Sequence, residues 1–188
     1  MSAPDASYRI EALSKAHGRD NFSCGVAPLD RYLQLQARQD AEKFVAAAFV
    51  LVEPPSSQVL GYYTLSACVI NVEHVPPDLA KRLPRYPQLP VTLLGRLARD
   101  TRVKGKGAGE FLLMDALFRA LTVTQTVASM AVVVDAKDAR AETFYQDFGF
   151  IAIQDQPRRL MLAMSVISQL FKRRVRANTR METSPERM

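Results

Sequence analysis

The sequence has no tryptophan, two cysteines, two histidines and eight glycines in 188 residues, and each scarcity closes off a class of protein. Two thiols, Cys24 and Cys68, are too few for a disulfide scaffold. They form no CxxC pair and stand in no Cys/His cluster of metal-binding spacing, so no metal is expected, and the thiols read as reduced, small apolar groups. His17 and His74 have no partner spacing and read as surface loop residues. Long hydrophobic runs are missing too. The longest, Phe44 to Val52, is nine residues, where a membrane span needs about 20. The opening stretch, MSAPDASYRIEA, lacks an apolar signal core. A soluble, cytoplasmic protein is the expectation.

What is present is an ordinary globular composition, 48% apolar and 23% charged, at a length that favours one domain. A chain of this size buries roughly 70% of its extended surface, so it needs no covalent staple. Charge is the feature that points outward, toward partners. Twenty-five Lys and Arg against nineteen Asp and Glu give a net +6, unevenly placed. Residues 81–106 carry Lys81, Arg82, Arg85, Arg96, Arg99, Arg102, Lys104 and Lys106 against Asp100 alone, a net of +7. Residues 171–188, FKRRVRANTRMETSPERM, carry +4, which leaves −5 for everything else. An acidic body thus bears a basic belt and a basic tail. With low hydrophobicity after Phe171 and no periodic apolar face, the tail reads as a flexible, solvated end to a single domain over 1–170. The belt is either a solvated charge run or a contact for a polyanion.

Hydrophobic spacing supplies the elements. YRIEAL at 8–13 reads as a short strand, and Pro28 opens a helix with Leu29, Leu33 and Ala37 on one face. Phe44–Val52 and Val59–Ile70, rich in β-branched and aromatic residues around EPPSSQ, read as a hairpin. Five prolines in 71–90 leave room for one short helix, near 77–83. A strand at 91–98 follows, then a helix through Leu112, Leu113, Ala116 and Leu117, and a buried strand within 127–136. Ala141, Phe144, Tyr145 and Phe148 form one helix face stopped by Gly149, and strands near 150–154 and 159–164 end the series. This order implies an α/β sandwich with a mixed sheet.

Lys104-Gly105-Lys106-Gly107-Ala108-Gly109 lies between a strand and a helix start, where successive amides and the helix dipole favour an anion. It is neither a dinucleotide fingerprint, because Glu110 takes the third glycine's place, nor a phosphate loop of the GxxxxGK[ST] type. By itself the turn is either structural or an anion site.

The run KGKGAGEFLLMDAL after LLGRLARD, with VVVDAKDARAETFYQDFGF further on, resembles the Gcn5-related N-acetyltransferase (GNAT) family. That family's Q/R-x-x-G-x-G/A motif is matched by Lys104 to Gly109, with lysine in the first place and so without the forked geometry of arginine. The resemblance covers nearly all of residues 8–168. It implies a GNAT-like, mostly antiparallel central sheet flanked by helices. It also implies acetyl-CoA as co-substrate, its pyrophosphate on the amides of Gly105 to Gly109 beside Lys104 and Lys106. The pantetheine arm would lie along Leu97, Ala98 and Arg99.

FSCGVAPLDRYL, LGYYTLSACVI, KRLPRYPQLPVTLLGRLARD and FYQDFGF further resemble the acetyltransferase toxins of type II toxin–antitoxin modules. Those enzymes acetylate the α-amino group of aminoacyl-tRNA and block translation. The resemblance implies Tyr145 as the catalytic residue, a ribbon-helix-helix antitoxin as partner and a homodimer.

The chemistry agrees. An α-amino acceptor has a reference pKa of about 7.7–8.0 and needs no strong base, whereas a lysine near 10.4 would. A tyrosine, with pKa about 10, stays protonated and can give its proton to a departing thiolate. An N–H near Leu97 could serve the oxyanion. From periodicity alone Tyr145 is equally a core tyrosine. Lys104 and Lys106 are candidates for the cofactor phosphates, and Lys81, Arg82, Arg85 and Arg96 for the acceptor RNA backbone. The competing readings are a GNAT enzyme acting on a protein or small amine, and a non-catalytic acyl-CoA-binding module.

Overall fold

The computed structural model describes residues 8–182, with side chains as far as Arg173; residues 1–7 and the last six of the basic tail lie outside the described residues. The strands are β1 (Arg9–Ala12), β2 (Ala47–Val52), β3 (Gly61–Asn71), β4 (Gln88–Arg99), β5 (Ala131–Asp135), β6 (Ile151–Ala152) and β7 (Arg159–Ala163). Their hydrogen-bonded order is β1-β2-β3-β4-β5-β7-β6, mostly antiparallel and flanked by helices, as the resemblance implied. The chain groups into two compact units: residues up to Val69 with Thr92–Leu117, and Ile70–Val91 with the chain from Phe118 onward.

In the first unit, β1, β2 and β3 form an antiparallel meander in which Arg9 faces Val52 and Phe49 faces Tyr63. The Phe49 and Tyr63 rings stack at 5.2 Å, a cross-strand pair of the kind that fixes register. Helix α1 (Ala27–Arg31) starts on Pro28, passes through a π-helical turn (Tyr32–Gln36) and continues as α2 (Ala37–Glu42). Leu33 and Ala37 are fully buried, as their spacing predicts, and Tyr32 beside them joins Phe22, Val50 and Tyr62 in one cluster. Helix α4 (Ala108–Val123) buries Leu112, Leu113, Ala116 and Leu117 completely. Gly61 permits this closeness, since a Cβ there would stand 2.7 Å from Leu112 Cδ1 and 3.3 Å from the Ala98 carbonyl.

In the second unit β5 pairs antiparallel with β7, Val133 opposite Met161, and the run Ala131–Val134 is fully buried. The proline-rich arm contains helix α3 (Pro77–Ala80). Its two ends are tied by Val72 N–H to the Pro87 carbonyl at 3.0 Å. Helix α5 (Ala139–Asp147) is capped by Asp138, which accepts from Ala141 N–H at 2.8 Å, and stops at Gly149, whose φ is +88°. Helix α6 (Met164–Glu182) follows β7 directly, with Ile167 buried and Phe171 edge-on to Phe118 at 5.3 Å.

The structure corrects several sequence expectations. Residues 171–182 are helix, where the sequence reads as a flexible tail. Buried Ile167 and the Phe118–Phe171 contact anchor the first turns, and a helix once started extends easily through Arg and Lys. β4 begins at Gln88 and includes Pro90, which contributes only its carbonyl, accepting from Met130 N–H at 2.9 Å. Phe44 is not in a strand. Its N–H bonds Ala41 and that of Val45 bonds Asp40, closing α2, so Phe44 turns out at φ +58° and is 95% exposed. His17 is buried, not on the surface: its Nδ1 accepts from Ser14 N–H at 2.9 Å and its Nε2 lies 2.8 Å from Glu11. The His74 side chain is also mostly covered.

Candidate active site

β4 ends at Arg99 and leads through a 3-10 turn (Thr101–Val103) into the glycine turn, after which α4 begins at Ala108. Gly105 and Gly107 have φ of +78° and +74°, the left-handed region that side chains resist. A Cβ on either would meet no atom within 4 Å, so glycine is required by backbone shape and not by crowding. The Gly107 carbonyl accepts from Phe111 N–H at 3.0 Å as the first bond of α4. Amides at the start of any helix have no carbonyl partner within it, which is what makes such a turn receptive to phosphate. Ala108 is buried, Gly109 half-buried, and Lys104 and Lys106 are exposed.

Asp100 fixes this turn, a role that no motif or spacing in the sequence signals. The residue is 1% exposed and its carboxylate accepts from Arg102 Nε and Nη2, each at 2.8 Å, from Arg102 N–H at 2.9 Å and from Ser23 N–H at 3.1 Å. Burial by itself would raise its pKa. The Arg102 side chain, then the Arg102 and Ser23 amides, outweigh burial and hold it at about 2. Thr101 N–H returns a bond to the Ser23 carbonyl at 2.9 Å. The segment before the glycine turn is thereby pinned to the FSCG loop.

The belt divides by partner. Arg102 is spent on Asp100, and Lys81 lies 3.6 Å from Asp78 at the surface. Arg96 stacks over the Tyr32 ring at 3.5 Å from its centroid. Tyr32 in turn donates to Asp40 at 2.8 Å, and burial with that bond pushes its phenol up to about 12. The side chains of Arg82, Arg85, Arg99, Lys104 and Lys106 have no hydrogen-bond or ion-pair partner among the described residues. Lys81, Arg82 and Arg85 sit on the arm of the second unit, whereas Leu97, Ala98 and Arg99 run straight into the glycine turn of the first.

Tyr145 lies on α5 and is 7% exposed, its ring against Phe144 at 5.3 Å and Phe150 at 5.4 Å. Four tyrosines are buried. Tyr62 donates to the Leu29 carbonyl, Tyr32 to Asp40 and Tyr63 to Asp115. The Tyr145 hydroxyl alone of the four has no hydrogen-bond partner among the described residues, and desolvation pushes its pKa upward. A buried phenol packed for the core alone normally finds such a partner.

No family model matches the chain. A tRNA-acetylating toxin of Mycobacterium tuberculosis is 32% identical over 164 residues, covering 87% of this chain and 95% of the relative. The chain belongs to the tRNA-acetylating toxins. Two solved structures place the toxin on the GNAT fold. AtaT complexed with acetyl-methionyl-tRNAfMet superposes at TM-score 0.82 and 28% identity, covering 87% of this chain and 99% of that one. A tyrosine-to-phenylalanine AtaT mutant bound to acetyl-CoA and the C-terminus of antitoxin AtaR does so at 0.76 and 27%, covering 88% and 98%. The toxin is an N-acetyltransferase that takes its acetyl group from acetyl-CoA. Its glycine turn fits that co-substrate, with two left-handed glycines unobstructed on the Cβ side and two exposed lysines beside them. Among the described residues no group of three or more His, Cys, Asp and Glu is placed to hold a metal, and no helix is long and apolar enough to cross a membrane.

Proposed function

We propose that the toxin acetylates the α-amino group of aminoacyl-tRNA through Tyr145 and so blocks translation. The observation that carries this reading is the Tyr145 hydroxyl, which has no hydrogen-bond partner among the described residues on a side chain packed against Phe144 and Phe150, while each of the other three buried tyrosines donates to a protein acceptor. The amine attacks the thioester carbonyl and an N–H of the Leu97–Arg99 edge donates to the oxygen; the C–S bond then breaks as the Tyr145 hydroxyl gives its proton to the leaving sulfur, and the proton lost by the acylated nitrogen reloads the phenol. Gly105 to Gly109 hold the pyrophosphate with Lys104 and Lys106. Arg82 and Arg85, whose side chains have no partner among the described residues, meet the acceptor RNA backbone together with Lys81 and Arg96. AtaT bound to an acetylated initiator tRNA, and an AtaT with a tyrosine removed bound to acetyl-CoA, support the substrate and the residue type.

Residues 1–170 act as one catalytic domain and 171–188 as its basic extension. The toxin works in the cytoplasm as a homodimer held by a ribbon-helix-helix antitoxin. AtaT with AtaR supports the antitoxin.

The test is transfer from radiolabelled acetyl-CoA to charged tRNA. Tyr145→Phe should lower turnover about 10²- to 10⁴-fold, the range of a lost general acid, with the melting temperature and acetyl-CoA affinity kept. Labelling of uncharged tRNA, or full activity of Tyr145→Phe, refutes the assignment. Arg82→Glu with Arg85→Glu should weaken tRNA binding and spare acetyl-CoA; equal loss of both counts against the RNA role.

A further inference from the structure

The arm that carries Arg82 and Arg85 also forms a groove of about 350 Å³, lined by Val72, Ala80, Leu83, Pro84, Arg85 and Tyr86 among others. Tyr86 in that lining is 62% exposed, and its phenol has no hydrogen-bond partner among the described residues. The arm is stiff: Pro84 and Pro87 flank the ring, Tyr86 N–H bonds the Pro84 carbonyl at 2.8 Å, and Val72 N–H bonds Pro87 at 3.0 Å. A ring held in place on a rigid backbone loses little freedom when something covers it.

Charge decides what that is. Residues 77–90 hold Lys81, Arg82 and Arg85 against Asp78 alone, and Asp78 pairs with Lys81, so Arg82 and Arg85 leave a local excess of positive charge that favours an acidic or phosphate-bearing ligand. An apolar groove with one open aromatic face and two unpaired guanidinium groups matches unpaired RNA. Its bases expose their faces to aromatic and guanidinium planes, and its phosphates meet the cations. A duplex cannot use the ring, because its base faces are already stacked.

We infer that Tyr86 is a stacking platform for an unpaired base at the single-stranded 3′ end of the acceptor, with Arg82 and Arg85 on the adjoining phosphates. The inference rests on the tRNA reading above. It separates two functions within the belt: the arginines supply salt-dependent attraction, and Tyr86 distinguishes an unpaired end from a helix.

The probe is an acceptor-stem hairpin whose unpaired 3′ end carries 2-aminopurine. Binding to the toxin should quench its fluorescence. Tyr86→Phe should keep the quench, and Tyr86→Leu, which keeps apolar bulk without a ring face, should lose it. The affinity of Tyr86→Leu should fall roughly 5- to 100-fold, the range of one base–aromatic stack, with the salt dependence unchanged. Arg82→Ala and Arg85→Ala should each reduce the salt slope by about one and keep the quench. Equal binding and quench by Tyr86→Leu, or equal binding of a blunt hairpin, overturns the platform. Acetylation of aminoacyl-tRNA is measured on the same preparations. Quench without turnover sinks the tRNA-acetylation reading and keeps the platform, and turnover indifferent to Tyr86→Leu sinks the platform alone.

Discussion

Replacing Asp100 by asparagine tests whether the carboxylate, and not just the shape of the chain, holds the glycine turn. The native pKa of about 2 stands against 3.8 for the unperturbed group, so linkage assigns the ionised form about 2 kcal/mol of stability. Because the folded-state pKa is the lower one, this contribution is fully present above about pH 4, about half lost by pH 3, and gone well below pH 2. Asparagine keeps the volume but turns an N–H pair toward the Arg102 guanidinium. Arg102 is 48% exposed, so its charge can return to water, and the cost should stay near 2 kcal/mol, below the ~3–5 expected for a stranded buried ion. The assay is urea unfolding of the native protein and Asp100→Asn between pH 7 and pH 3. The stability gap should be about 2 kcal/mol at neutral pH and shrink by about half at pH 3. Because Ser23 and Thr101 are tied to the same corner, the variant should also bind acetyl-CoA more weakly. A gap below about 0.5 kcal/mol at pH 7, or one that does not narrow on acidification, would refute the argument.

Gly61→Ala drives a Cβ to 2.7 Å from Leu112 Cδ1 and should destabilise by about 1–3 kcal/mol in denaturant titration. Gly107→Ala meets no clash at all, so its cost should be only the left-handed backbone, about 1 kcal/mol, accompanied by weaker acetyl-CoA binding in calorimetry. Burial raises the Tyr145 phenol above its ordinary value of 10, so the acid stays loaded across the working range. The transfer rate should rise as the α-amino group loses its proton through about pH 7.7–8.0 and stay level toward pH 10. A decline setting in below pH 9 would assign the proton to another group.

Most of the elements are legible in the residues. The hairpin, the Pro28 helix, α4, β5 and α5 each follow from spacing that puts apolar side chains on one face, and the glycine turn follows from its place between a strand and a helix. Boundaries fail for two reasons, one local and one tertiary. Phe44 is drawn out of its apolar run by the closing bonds of α2, which lie within five residues of each other. α6 extends through charged residues because its first turns are anchored by Ile167 and by Phe118 against Phe171.

The sequence by itself marked the glycine turn, through its place between a strand and a helix, and carried the family resemblance in contiguous strings; Tyr145 was singled out through that resemblance and not through its spacing. The sequence also determined that positive charge collects between Lys81 and Lys106. Only the tertiary structure decided which of those charges are free. Asp100 claims Arg102 with help from Ser23, seventy-seven residues away; among the described residues Arg96 is positioned over the Tyr32 ring without an ion pair, while the side chains of Arg82 and Arg85 have no partner. The same holds for Tyr145, whose hydroxyl is distinguished from three others only by what fails to meet it. The availability of a charge or a hydroxyl depends on neighbours distant in sequence, and only folding supplies them.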